Sequence, residues 1–253
     1  VAALVGKNVT LILTNGLTVK AASKVNAVTI AGSVAYGGSK SAGVGINTII
    51  HNSKVNAGLG DGSTVTGANG GSWNGDVTIS ASGELDLTSI LVAAAASSSR
   101  TGSDGKKAAG EGVINIFVNG NNVTAEIGKN ATIKTKGNVK VTAASRLGYT
   151  GITGGIAASG GHGIGASVSV IVVNTNTLAQ IGNGANITAG GNLTVSADSE
   201  ETIVSVIVNG AAAGSNGVAA AVSPAVNVIK GSTVARAGIG TYNVNAMSVT
   251  ANS

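Results

Sequence analysis

Cysteine is absent from all 253 residues, and proline occurs once. Without thiols, neither disulfides nor a thiolate metal site can hold the fold. A chain free of cysteine also suits passage, unfolded, through an oxidising periplasm. Aromatic residues make up 2% of the chain and charged residues 10%. Disorder needs the opposite composition, rich in proline and charge and poor in Val and Ile, and is excluded. The longest apolar-looking run, IVSVIVNGAAAGSNGVAAAVSPAV at 203–226, is broken by Asn209, Ser215, Asn216 and Pro224. It falls short of the roughly 20 consecutive apolar residues of a spanning helix. One Trp, one Phe and three Tyr cannot supply the aromatic girdles of an outer-membrane barrel, so stable membrane insertion is not expected. The net charge of +5 is spread along the chain. No aromatics interleave with it, so nucleic-acid binding is not expected either.

Glycine is abundant instead, at 40 residues, about double its average usage of about 7%. No three-residue glycine period runs through the chain, which rules out collagen. Glycine, small residues and β-branched residues together describe an all-β chain with Gly/Asn/Asp turns. The chain also repeats itself. VAALVGKNVTLILTNGLTVKAAS at 1–23, VTAEIGKNATIKTKGNVKVTAAS at 123–145 and TLAQIGNGANITAGGNLTVSADS at 177–199 are one phrase written three times. Ala3, Ala57, Ala125, Ala179 and Ala235 hold the same place in five copies, spaced 54, 68, 54 and 56 residues apart. The repeat units run roughly 1–54, 55–122, 123–176, 177–232 and, in part, 233–253.

Strict alternation in segments such as ATIKTK puts every second side chain on one face of a strand. A unit recurring in parallel stacks like residues in columns. The expected fold is therefore a parallel, right-handed β-helix or solenoid, a single domain over 1–253. A 54-residue unit is long for one coil. The expectation is two or three coils per repeat, giving a rod on the order of 45–60 Å at the strand spacing. The chain opens without Met inside a repeat and closes on MSVTANS, a copy of LTVSADS at 193–199. It reads as a segment of a longer protein.

The unit that follows Ala57 is 14 residues longer than its 54-residue siblings. The excess falls at 66–76 (TGANGGSWNGD) and 97–112 (SSSRTGSDGKKAAGEG). Insertions in repeat proteins map to surface loops, often on the binding face. Trp73, the only tryptophan, sits in the first and is a candidate to stack on a sugar or seat in a partner. The plainer alternative has it lying back on the rod's flank. Arg100, Lys106 and Lys107 in the second are candidates for an anionic glycan or headgroup. Against them stands a solvated loop of mixed charge.

Chemistry finds little footing. His51 and His162 are far apart in sequence and lack the neighbours of a zinc site. Exposed or turn positions are expected for them. A glycosidase needs two carboxylates facing one cleft. Asp61, Asp76, Asp86 and Asp104 all fall in the long unit, which leaves a polysaccharide lyase or hydrolase as the alternative reading. No nucleotide-binding glycine motif opens a helix. No cofactor, metal or catalytic set is assigned, and an enzyme is not expected.

The phrases NLTVSADS and KVTAAS, with returning arms such as GIGASVSVIVVNTNTLAQIG, resemble the repeat region of large bacterial exoproteins. These are the filamentous-haemagglutinin-like adhesins and, closest in texture, the leukotoxin-type filamentous adhesins of fusobacteria. The resemblance covers essentially the whole chain. It implies a type V (autotransporter or two-partner) passenger, exported through an outer-membrane translocator. It also implies a chain secreted from, or displayed on, a Gram-negative surface, acting as an adhesin or toxin on a host-cell protein or glycan. The family carries no catalytic residues to transfer, and the Arg-Gly-Asp motif of some of its adhesins is absent.

Overall fold

A computed structural model describes residues 1–98 and 107–253. The first rung holds β1 (Ala2–Val5), β2 (Thr10–Ile12) and β3 (Leu17–Gly37). The second holds β4 (Lys40–Leu59), β5 (Thr64–Thr66) and β6 (Val77–Ser97). The third holds β7 (Ala108–Ile127), β8 (Thr132–Thr135) and β9 (Val139–Ser159). The fourth holds β10 (His162–Ile181), β11 (Ala185–Ala189) and β12 (Leu193–Ala212). The fifth comprises β13 (Ala219–Val222), β14 (Ala225–Ala237), β15 (Gly240–Asn243) and β16 (Met247–Asn252). Three parallel sheets result. Sheet A stacks β1, β4, β7, β10 and then β13 with β14; sheet B stacks β2, β5, β8, β11 and β15; sheet C stacks β3, β6, β9, β12 and β16.

The all-β parallel solenoid is what the alternation anticipates, but the coil count is not. Ala3 pairs with Ala57, Ala57 with Ala125, Ala125 with Ala179, and Ala179 with Ala235. One repeat is thus one rung, not two or three coils. Five rungs at about 4.8 Å span roughly 20 Å, not 45–60 Å. The extra length goes sideways. Near the Ala column, the end of each A strand, the short B strand and the start of the C strand enclose a triangular core. Beyond it, strands of sheets A and C run on face to face as a flat fin, joined at its tip by turns such as 37–40 and 159–162.

The triangular core is built of like residues in columns. Val19, Ile79, Val141 and Val195 stack across sheet C, and Val65, Ile133 and Ile187 across sheet B. All seven are buried. Narrow columns favour small and β-branched side chains, which explains the scarcity of aromatics. Smaller clusters continue into the fin, first Leu85, Leu87, Phe117, Leu147, Tyr149, Ile171 and Val173, then Leu91, Ala93 and Val113. On the first four rungs the turn between sheets A and B uses one left-handed residue. Asn8, Gly62, Asn130 and Gly184 supply it at φ of 55°, 69°, 55° and 78°. Glycine and asparagine are the residues that take this conformation at low cost, hence the recurring G-K-N and D-G signatures.

Candidate functional site

The two insertions leave the long repeat at different places. The first lies between β5 and β6, at the corner of sheets B and C. The second spans the end of β6 and the start of β7, at the fin tip. A strand of 21 residues separates them by about 70 Å, so they do not form one site.

Trp73 is not an exposed loop residue. It is 5% exposed and belongs to the triangular core. The segment Ala68–Gly70 forms a 3₁₀ turn, after which Trp73 rejoins the ladder by bridging Thr135. Its carbonyl accepts the Lys136 N–H at 2.8 Å and the Thr135 hydroxyl at 3.3 Å. The indole packs into the core, its N–H without a partner among the described residues, and burial overrides the expectation of a sugar-stacking platform. Of the basic candidates, Arg100 and Lys106 lie outside the described residues. Lys107 stands at the start of β7, where its carbonyl accepts the His162 N–H at 2.9 Å.

His51 is not at a surface turn either. It points between the sheets, with Nδ1 2.9 Å from Asn119 Oδ1. His162 is exposed at the fin tip, and its Nδ1 accepts the Val218 N–H at 3.2 Å. Among the described residues, no group of three or more His, Asp and Glu is placed to hold a metal. Nor is any helix long and apolar enough to cross a membrane.

The acids of the long repeat are spread around the rung. Asp61 sits at the corner of sheets A and B, paired with Lys7 at 3.0 Å and accepting the Lys129 N–H at 2.9 Å. The hydrogen bonds from Lys7 and Lys129 hold its carboxyl below the usual range. Asp76 lies at the opposite corner and accepts the Asn138 N–H at 2.7 Å. Asp104 is outside the described residues. On the outer face of sheet C, Lys24, Glu84, Arg146 and Glu200 stack in one column of alternating sign. Glu84 takes Lys24 at 2.9 Å and Arg146 at 3.4 Å, and Arg146 reaches Glu200 at 3.9 Å. With Asp198 this column lines a shallow groove. The Lys24 hydrogen bond keeps Glu84 ionised to lower pH than a free carboxyl. A glycosidase acid needs the opposite shift, and what the ladder does is fix register between rungs.

Two features of the fin were not anticipated from the sequence. Its interior is partly polar. Asn47 donates to Ser89 at 2.8 Å, Ser89 to Asn115 at 3.3 Å, and Asn115 to the Tyr149 hydroxyl at 3.0 Å. The Tyr149 ring stacks on Phe117 with centroids 4.3 Å apart. Further out lies Glu111, 5% exposed, with neither carboxylate oxygen hydrogen-bonded among the described residues. Burial pushes its carboxyl up, offset in part by the nearby Ala166 N–H. It occupies the register of Gly43 and Gly165. A Cβ on Gly155 would come within 2.0 Å of its carboxyl group, so glycine in the facing strand makes its room.

The exterior of the fin is apolar on both sides. Past Thr88 and Thr150, the outward positions of sheet C include Ile30, Ile90, Ile152 and Val206 in one column. Past Asn52 and Asn174, those of sheet A include Ile50, Val118, Val172 and Val228. Alternation flags a strand but not which alternate faces out, and here the outward positions of the long strands turn apolar beyond their midpoint.

No family model matches this chain, and no curated protein or solved structure is significantly similar to it. The fold is a parallel β-solenoid with a two-sheet fin.

Proposed function

We propose that this chain is a passenger segment of a secreted or surface-displayed bacterial adhesin or toxin, working by reach and by attachment to a host-cell protein or glycan. Export through an outer-membrane translocator of a Gram-negative cell belongs to the same reading. The observation that supports it best is the stacking of every repeat as one rung in unbroken register. Such an array extends by addition of repeats and presents loops at its edge without altering the scaffold. The attachment point under this reading is the insertion at the fin tip, where Lys107 adjoins 99–106.

The alternative of a polysaccharide-degrading enzyme has one feature to stand on, the groove holding Glu84, Asp198 and Glu200. Lys24 and Arg146 are interleaved there, and Glu84 is held ionised rather than protonated. That arrangement favours a ladder over an acid–base pair. The plain spacer remains the null outcome of the binding test. Purified chain is titrated onto host cells and a glycan panel across a salt series, beside a version with 99–106 removed. Saturable binding lost on removal is the expected result. Equal binding by both versions, or by neither, overturns the assignment of the tip.

A further inference from the structure

We propose that the two outer faces of the fin are covered by second copies of this chain, so that rods associate side by side. The inference goes beyond attachment to a host and does not depend on it.

The strands change character at a fixed point. Closer to the triangular core, the outward positions of sheet C carry Lys20, Lys24, Glu84, Lys140 and Arg146, while the inward ones carry Val, Leu and Ile. Past Thr88 and Thr150 the pattern inverts. The inward residues become mostly small or polar, with Ser89, Thr153, Gly155 and Ala157 beside Leu91 and Ile207, and the outward ones become Ile90, Val92, Ile152 and Ile156. On sheet A the outward positions past Asn52 and Asn174 turn apolar too, Ile114 and Ile164 among them, while the inward ones pass from Phe117, Ile171 and Val173 to Asn115 and Ser167. Among the described residues, no charged residue points outward on either distal face until the tip. Nor is the exposure confined to the outermost rungs: on rungs two to four, Val92 is 48% exposed, Ile156 61% and Ile164 59%.

Strand propensity alone does not account for this. The inner half of the same strands meets that preference with Thr on its outward face, as at Thr78, Thr142 and Thr194. An apolar exterior over an interior that is itself partly polar marks a surface that is covered. Ten residues at about 3.3 Å by four or five strands at about 4.8 Å give roughly 600–800 Å² per face. That matches or exceeds the largest apolar patch of a typical monomer. Two such faces together bury about 1,200–1,600 Å², the size of a stable interface.

The occupant is a second copy rather than lipid for two reasons. Tyr36 is the one exposed aromatic on the described fin, so neither boundary has an aromatic belt. Insertion would also carry Lys40 and Lys107 at the tip through the hydrocarbon. A sheet face is well suited to itself. The ridge of Ile30, Ile90, Ile152 and Val206 runs beside a column of Gly32, Val92, Gly154 and Val208, whose glycines leave notches for a partner's ridge. Contacts of face C on C and of A on A are each two-fold. Because they lie on opposite sides of the fin, together they propagate an open stack rather than a closed dimer.

The test is sedimentation of the chain over a hundredfold concentration range. Three variants run beside it: Ile152→Lys with Ile156→Lys on sheet C, Ile114→Lys with Ile164→Lys on sheet A, and all four combined. Circular dichroism checks the fold of each, and threonine at the same positions replaces any lysine variant that fails to fold. The unaltered chain is expected to grow in mass with concentration, each single-face variant to stop at a dimer, and the combined variant to stay monomeric. A chain monomeric throughout overturns the proposal, as does assembly that the combined variant leaves unchanged. Flotation with phosphatidylcholine–phosphatidylglycerol vesicles of a chain that does not self-associate would assign the faces to lipid instead.

Discussion

At the residue scale the repeat is held by a few positions whose conformation or environment admits few side chains. The left-handed corner is one. Asn130→Ala is expected to cost about 1–2 kcal/mol, since an ordinary L-residue pays that to adopt the left-handed region, whereas Asn130→Gly is close to neutral; chemical denaturation separates the two. Glu111 is another. Its carboxyl is raised by burial, so the folded state holds a proton more tightly than the unfolded chain. That contribution is complete below the unfolded value near 4.5 and is lost as pH rises through the higher folded value. Thermal midpoints should therefore decline as pH climbs from about 4 towards neutrality, and Glu111→Gln should flatten that decline. Asp61 and Glu84, held low by hydrogen bonds from Lys7 and Lys24, act in the other direction: their stabilisation is present above the usual carboxylate range and is lost as pH falls through it. A Glu111→Gln variant with an unchanged profile would contradict the assignment.

At the scale of elements, the first insertion is a packing device. Trp73 sits in the core where a repeat without the insertion has only a tight turn. Trp73→Ala is expected to destabilise by about 3–5 kcal/mol, the range for emptying a buried Trp site, and to leave binding to cells or glycans unaltered in whatever fraction stays folded. Loss of binding without loss of stability would return Trp73 to the surface role its loop position suggests. Here sequence and structure part for a physical reason. The length mismatch between the unit that follows Ala57 and its siblings marks 66–76 as an insertion, but nothing in TGANGGSWNGD states whether the ring turns in or out. The strands themselves were legible from alternation such as VKVT and ATIK. The fin was not, because an alternating strand reads the same whether its apolar side chains face the core, as at Val139 and Val141, or solvent, as at Ile152 and Ile156.

At the scale of the whole molecule, the five alanines of the repeat were legible as equivalent positions, and they stack. The number of coils per repeat was not, because periodicity gives the length of a unit and not the path it takes. A 54-residue rung folds its surplus into a fin instead of a second turn, and the columns of Val and Ile stay in register all the same. The central claim is that one repeat makes one rung, and a cysteine-free chain allows a clean test. Lys140 on β9 and Thr194 on β12 are register partners facing outward. Neighbouring strands bring such Cα atoms to about 5 Å, within the span of a disulfide. Lys140→Cys with Thr194→Cys should close an intramolecular disulfide under mild oxidation, read as a mobility shift reversed by reductant. Lys140→Cys with Ala166→Cys, half a repeat away, should not. A link in the half-repeat pair and none in the full-repeat pair would show more than one coil per repeat and contradict the account.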